Sequence, residues 1–208
     1  MSLLNTPVPD FSAKAVRQGQ FIDVSLADLK GHWSVLFFYP GDFTFVCPTE
    51  LFDLHEQYAE LKRMNVEVYA VSTDSVYAHQ AWADSTPLID EIEYPLVADH
   101  AWTIAKSLDV LDEATGTAQR ATLIVNPEGI IKAVEISDGP VARRAEELLR
   151  KVKAAQFVAG GIGRLAKASW AFANATAAER QAAEAIPAAD PLVLQEAGLG
   201  ERDICPPE

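Results

Sequence analysis

The feature that most constrains this chain is an alternation of two hydrophobic periods in its first half. Ser34–Tyr39 and Val66–Val71 are continuous apolar runs rich in aromatic and β-branched residues, the pattern of strands buried on both faces. Between them Leu51, Leu54, Tyr58 and Leu61 fall at steps of three and four, which predicts a helix from about Pro48 to Met64 with one apolar face. Further on, Thr122–Val125 and Ile130–Ile136 read as two strands joined by Asn126-Pro127-Glu128-Gly129, a turn sequence that predicts an antiparallel hairpin. Leu148, Leu149, Val152 and Ala155 repeat the helical spacing. Strands and helices in this order imply a layered α/β domain with a central mixed sheet flanked by helices.

That domain is expected to span residues 1–158. From Ala159 the composition shifts. Gly160 and Gly161 break the preceding helix, and an Ala-rich stretch from Leu165 to Ala185 predicts another. Pro187, Pro191, Gly198 and Gly200 then precede the end, Ile204-Cys205-Pro206-Pro207-Glu208. Residues 159–208 therefore read as a C-terminal arm whose tail carries Cys205.

Charge and hydropathy narrow the function. The formal net charge is -13, so a phosphate backbone would be repelled by most of the surface and nucleic-acid binding is not expected. The densest basic stretch, Arg143–Lys153, also holds Glu146 and Glu147 and reads as one amphipathic helix. No apolar run approaches the roughly 20 residues that span a bilayer, and Met1–Pro9 lacks the marks of a signal peptide. A cytoplasmic protein without membrane partners is the expectation. Two widely spaced cysteines, Cys47 and Cys205, do not make a disulfide scaffold.

The segment Tyr39–Glu50 joins the first apolar run to the first helix, and Cys47 sits where that helix begins. Pro48 suits a first helical turn, where its missing N–H costs nothing. Free backbone N–H groups and the positive end of the helix dipole are expected to face the sulfur and favour thiolate, the nucleophilic form, with a lowered pKa. The alternative is a buried, inert cysteine. Cys47 lies beyond the carboxyl end of a strand, where α/β folds place their sites.

The residues around it carry a family resemblance. Pro40-x-x-x-Thr44-x-x-Cys47 resembles the peroxiredoxin signature, and Phe43-Thr44-Phe45-Val46-Cys47-Pro48-Thr49-Glu50 is similar to the form in its AhpC-like branch. Met1-Ser2-Leu3, Trp33-Ser34-Val35, Val68–Asp74, Arg120-Ala121-Thr122 and Leu149–Gln156 agree, so the resemblance covers about residues 1–170. It implies a thioredoxin-like fold and a thiol-dependent peroxidase acting on hydrogen peroxide and organic hydroperoxides, with no metal, flavin or haem. It implies a thiol or a disulfide reductase as electron donor, and homodimers assembled into a decamer. The rival reading is a redox-signalling or chaperone-type binding protein that kept the fold.

The resemblance also assigns roles. Cys47 corresponds to the peroxidatic cysteine, which becomes a sulfenic acid. Thr44 corresponds to the threonine whose hydroxyl bonds thiolate and peroxide, Pro40 to the proline shielding the sulfur, and Arg120 to the arginine holding the reacting atoms. Glu50 corresponds to the glutamate that orients arginines, with Arg143 the candidate for the second of these. Oxygen–oxygen cleavage needs an anionic nucleophile and stabilised charge on the leaving oxygen, which a fixed guanidinium can supply.

In AhpC-like relatives a resolving cysteine follows the last core helix, but gap-free alignment places Ala166 and Lys167 there. Two alternatives follow: Cys205 has taken over the role from the tail, or one cysteine works alone and an external thiol resolves it. The four histidines, His32, His55, His79 and His100, form no zinc-like pair and are expected to be satisfied structural residues. Trp82 falls in a predicted helix after Ser72-Thr73-Asp74, over the site or in the core. Phe43 and Phe45 line an entrance or a subunit interface, or pack in the core.

Overall fold

The computed structural model describes residues 2–160; the Ala-rich stretch, Ala166 and Cys205 lie outside them. Among these, residues up to Leu149 form one compact unit and residues from Arg150 belong to a second. Strands β1 (Ser12–Arg17) and β2 (Gln20–Ser25) are followed by a 3-10 turn, Leu26–Leu29, and by β3 (Trp33–Phe38). Then come α1 (Cys47–Arg63), β4 (Val66–Ser72), α2 (Val76–Ser85), α3 (Pro87–Asp90), β5 (Leu96–Ala98) and α4 (Thr103–Ser107). A small hairpin, β6 (Leu111–Asp112) and β7 (Thr117–Ala118), precedes β8 (Arg120–Val125), β9 (Ile131–Ser137) and α5 (Ala145–Ala159).

Seven strands make the mixed sheet, in the order β2-β1-β5-β4-β3-β8-β9. β3 runs parallel to β4 and antiparallel to β8, so the two continuous apolar runs lie side by side at its centre. Their burial on both faces explains why they do not alternate. The expected hairpin is β8–β9. Gly129 takes φ +82° in its turn, a left-handed conformation that favours glycine, and the side chain of Asn126 accepts the N–H of Ile130 at 2.8 Å.

Strand periodicity divides the core in two. Leu36 and Phe38 of β3, Val71 of β4 and Ala121, Leu123 and Val125 of β8 join Ile104, Ala105 and Leu108 in one cluster. Side chains one residue out of phase, among them Phe37, Arg120 and Thr122, point to the opposite face. Phe37 is directly opposite Thr122 in the ladder. Helix α1 packs against β4 and buries Leu51, Leu54, Tyr58 and Leu61, each burial being worth about 1.5–3 kcal/mol.

The N-terminal hairpin, the short β5 and the β6–β7 hairpin had no counterpart in the sequence reading. In β1 and β2 only Ala15, Val16 and Val24 are buried, so neither strand presents a continuous apolar run. Gln18 and Gly19 both have positive φ, +47° and +71°, the geometry of the tight turn that suits a two-residue hairpin.

Candidate active site

The loop between β3 and α1 is held by a buried network. Tyr39, at its start, donates to Asp42 Oδ1 at 2.8 Å, and Asp42 Oδ2 lies 2.8 Å from His79 Nδ1 on α2. The N–H of Asp42 donates to Asp74 Oδ2 at 2.9 Å, and Asp74 also accepts from Ser72. Burial, together with the negative charge of Asp42, pushes Tyr39 well above the ordinary tyrosine value, so it remains a donor. Phe43 then takes φ +56°, an uncommon conformation for a bulky side chain, held by this framework.

Cys47 occupies the first position of α1, with Pro48 behind it, and is fully buried. Thr49 and Glu50 both give their N–H groups to Val46 O. Of the N–H groups expected to face the sulfur, those of Thr49 and Glu50 are therefore directed to a carbonyl instead. Among the described residues the donor to Cys47 Sγ is Nη1 of Arg120, at 3.4 Å.

Arg120 opens β8 on the face shared with Thr122. Its Nη1 also donates to Glu50 Oε2 at 2.5 Å, and its Nε donates to Gly139 O. Burial alone would pull its pKa down; the hydrogen bond to Cys47 and the charge of Glu50 outweigh that, and the net shift is upward. Arg143 meets Glu50 from the other side: its backbone N–H and Nε donate to Oε1 at 2.7 and 3.0 Å, and its Nη2 to Oε2 at 3.2 Å. Its Nη1 donates to Ala121 O and Thr122 Oγ1, and its guanidinium lies 3.6 Å over the Phe37 ring. Burial dominates for Arg143 and lowers its pKa from a very high starting value, so the guanidinium stays charged. One buried carboxylate thus holds two buried guanidinium groups, one of which reaches the sulfur.

The structure places Cys47, Arg120, Glu50 and Arg143 in one hydrogen-bonded cluster. Pro40 lines a cleft together with Arg120. Thr44 differs from expectation: its hydroxyl is exposed and donates to Gly41 O at 3.0 Å, within its own turn, rather than to the sulfur. Trp82 is buried with its ring 6.1 Å from both Tyr39 and Phe43, so it is a core residue and the floor of the loop at once. Phe43 and Phe45 are 60% and 97% exposed, which excludes the core reading for both. Among the described residues the histidines are not all satisfied: His32 Nε2, His55 Nδ1 and His79 Nε2 are buried without a hydrogen-bond partner there. Sequence reasoning missed Asp42, His79 and Gly139. Only Asp42, inside the Pro40–Cys47 motif, carried a local signal.

Residues 4–134 match the AhpC/TSA family. The alkyl hydroperoxide reductase C of Bacillus subtilis (strain 168) is 52% identical over 170 residues, which cover 82% of this chain and 91% of that protein. The crystal structure of Enterococcus faecalis AhpC superposes with a TM-score of 0.76 at 53% identity, covering 77% of this chain and 96% of that one. The reduced 2-Cys peroxiredoxin of Plasmodium vivax superposes with a TM-score of 0.78 at 28% identity, covering 84% and 92%.

Proposed function

From the premise that this chain belongs to the AhpC/TSA family, we propose a cycle for the thiol peroxidase that it is, with Cys47 as the reacting group. The observation that carries this reading is the Arg120 guanidinium 3.4 Å from Cys47 Sγ, fixed there by buried Glu50. The Cys47 thiolate attacks the terminal oxygen of a hydroperoxide. A sulfur–oxygen bond forms as the oxygen–oxygen bond breaks, giving Cys47 sulfenic acid and an alkoxide (hydroxide from hydrogen peroxide) that takes up a proton. Arg120 stabilises the thiolate first and the developing oxyanion next. Glu50 and Arg143 position Arg120, and Pro40 walls the approach. Thr44 joins once its hydroxyl turns from Gly41 O toward the incoming peroxide.

The sulfenic acid condenses with a thiol, losing water and leaving a disulfide that the electron donor reduces. Cys205 is the resolving thiol in this proposal. Homodimers assembled into a decamer, in the cytoplasm, complete the reading that the family resemblance supports. It is tested by the rate of hydrogen peroxide consumption with a thiol donor, against free cysteine. A rate no faster than free cysteine would overturn the role of Cys47. Peptide mass spectrometry after one equivalent of peroxide tests the second cysteine: a Cys47–Cys205 disulfide is expected, and a free Cys205 in a protein that still turns over would remove it from the cycle. Sedimentation velocity reads the oligomer directly.

A further inference from the structure

Arg120 is not only the sulfur's neighbour; it also lines a surface cleft of about 290 Å³. Pro40 forms part of the lining, with Thr117, Gln119 and Ser137 as neutral polar wall. The charged members are Arg120, Asp112 and Asp138, one cation against two carboxylates. The cation is already committed to Glu50 at 2.5 Å, whereas among the described residues neither Asp112 nor Asp138 takes part in a salt bridge.

Both carboxylates are held in place. Asp112 Oδ1 accepts the N–H of Ala114 at 3.0 Å, in the β6–β7 hairpin. Hydrogen bonding from Thr115, then from the Ala114 N–H, holds its carboxyl below the usual range, so it is charged at neutral pH. Asp138 Oδ1 accepts the N–H of Gly139, the residue whose carbonyl takes Arg120 Nε. The carboxylates therefore have fixed positions relative to the arginine. A hydroperoxide that approaches Arg120 through this cleft shares the lining with both carboxylates.

We propose that the cleft selects substrates by charge: Asp112 and Asp138 admit neutral hydroperoxides and turn away those carrying a carboxylate close to the peroxide group. The inference rests on the peroxidase reading and goes beyond it, because it names the substrate class. Like charges separated by several ångströms at a wet surface repel weakly, and salt screens them. The effect is thus a modest, salt-sensitive preference carried by two identifiable side chains.

The test uses the full-length protein and a matched pair of probes, 4-hydroperoxy-4-methylpentanoate and its uncharged methyl ester. The quantity read is the ratio of kcat/KM for ester over carboxylate. In wild type the ester should win by about tenfold at low ionic strength, and the gap should close toward unity in roughly 0.5 M sodium chloride. Asp112→Asn and Asp138→Asn should each narrow the ratio about two- to threefold, and the double variant should remove most of it. Asp90→Asn with Glu91→Gln makes the same change in net charge outside the cleft lining and should leave the ratio as in wild type. An unchanged ratio in the double variant, an equal effect of the distant pair, or a wild-type ratio near unity at low salt would each overturn the proposal. Failure of wild type to consume hydrogen peroxide itself would instead overturn the peroxidase reading, so the two failures are distinguishable.

Discussion

Replacing Glu50 by Gln removes one charge and one acceptor from the centre of the site. The carboxylate is 2% exposed and accepts four N–H groups: Arg120 Nη1, and the backbone N, Nε and Nη2 of Arg143. Glutamine keeps one oxygen and turns an NH2 toward donors, so at least one guanidinium N–H loses its partner. Two buried guanidinium groups also lose their shared counter-charge. Breaking a buried ion pair from one side costs about 3–5 kcal/mol, most of it from the charge left uncompensated. Two opposing effects reach the sulfur. The cation facing Cys47 is no longer shared with a carboxylate, which favours thiolate, but it is no longer held at its position. Position should win, because a displacement of about 1 Å at a reacting centre can cost on the order of 100-fold in rate. We expect the variant to unfold about 3 kcal/mol more easily in urea. At a temperature where it remains folded, its kcat/KM for hydrogen peroxide should fall roughly 100-fold. A variant within 1 kcal/mol of wild type, or one that reduces peroxide at the wild-type rate, would refute this reasoning about Glu50.

Cys47→Ser should abolish peroxide turnover while leaving the circular dichroism spectrum and melting curve near wild type, since the two side chains are close in size; measurable turnover would remove Cys47 from the chemistry. Arg120→Lys keeps the charge but cannot hold sulfur, Glu50 and the Gly139 carbonyl in one planar fork, so kcat/KM should fall about 10- to 100-fold; stopped-flow rates within twofold of wild type would show that charge alone suffices. Glu67 lies away from the site. Burial pushes its carboxyl up, but donation by Tyr58 at 2.6 Å, by Lys62 at 3.0 Å and by the Val68 N–H outweighs burial, and the net shift is below the ordinary 4.5. A lowered carboxyl pKa contributes stability above the unfolded value and loses it as pH falls through the folded one. Urea midpoints between pH 7 and pH 3 should therefore drop less steeply in Glu67→Gln, which starts about 1–3 kcal/mol lower at pH 7; parallel curves would contradict this.

Most of the centre of the fold was legible in the sequence because β3, β4 and β8 are buried on both faces and α1 on one, which forces continuous and three-to-four spacings respectively. Edge elements were not legible for the converse reason. β1 and β2 bury only three apolar residues between them, and β5 is three residues long. At the site, Cys47 announced itself by its place ahead of Pro48. The roles of Arg120, Glu50 and Arg143 came from resemblance, since nothing local marks an arginine as buried. Asp42 and His79 stayed hidden because their pairing is tertiary: α2 brings His79 to a residue 37 positions earlier.

The residues of the site are scattered along the chain, and two registers bring them together. β3 beside β8 sets Phe37 opposite Thr122, which puts Arg120 on the same face two residues away, at the end of the strand that approaches α1. On α1, Glu50 and Asp53 are one turn apart and share a side of the helix. Glu50 takes Arg120 and Arg143; Asp53 Oδ2 accepts the N–H of Ala145 at 2.7 Å, at the start of α5. The segment Asp138–Arg144 is thus pinned at three points: Gly139 O by Arg120, Arg143 by Glu50, and its far end by Asp53. Each anchor on α1 lies within two turns of Cys47. A displacement of the first turn of α1 would therefore cost more in the buried Glu50 cluster than in the partly exposed Asp53 contact, because separating charges costs more in a dry environment than near water. Arg120, which reaches the sulfur, is held by the same carboxylate that ties α1 to β8, so the geometry around Cys47 and the local stability of the helix start both depend on Glu50.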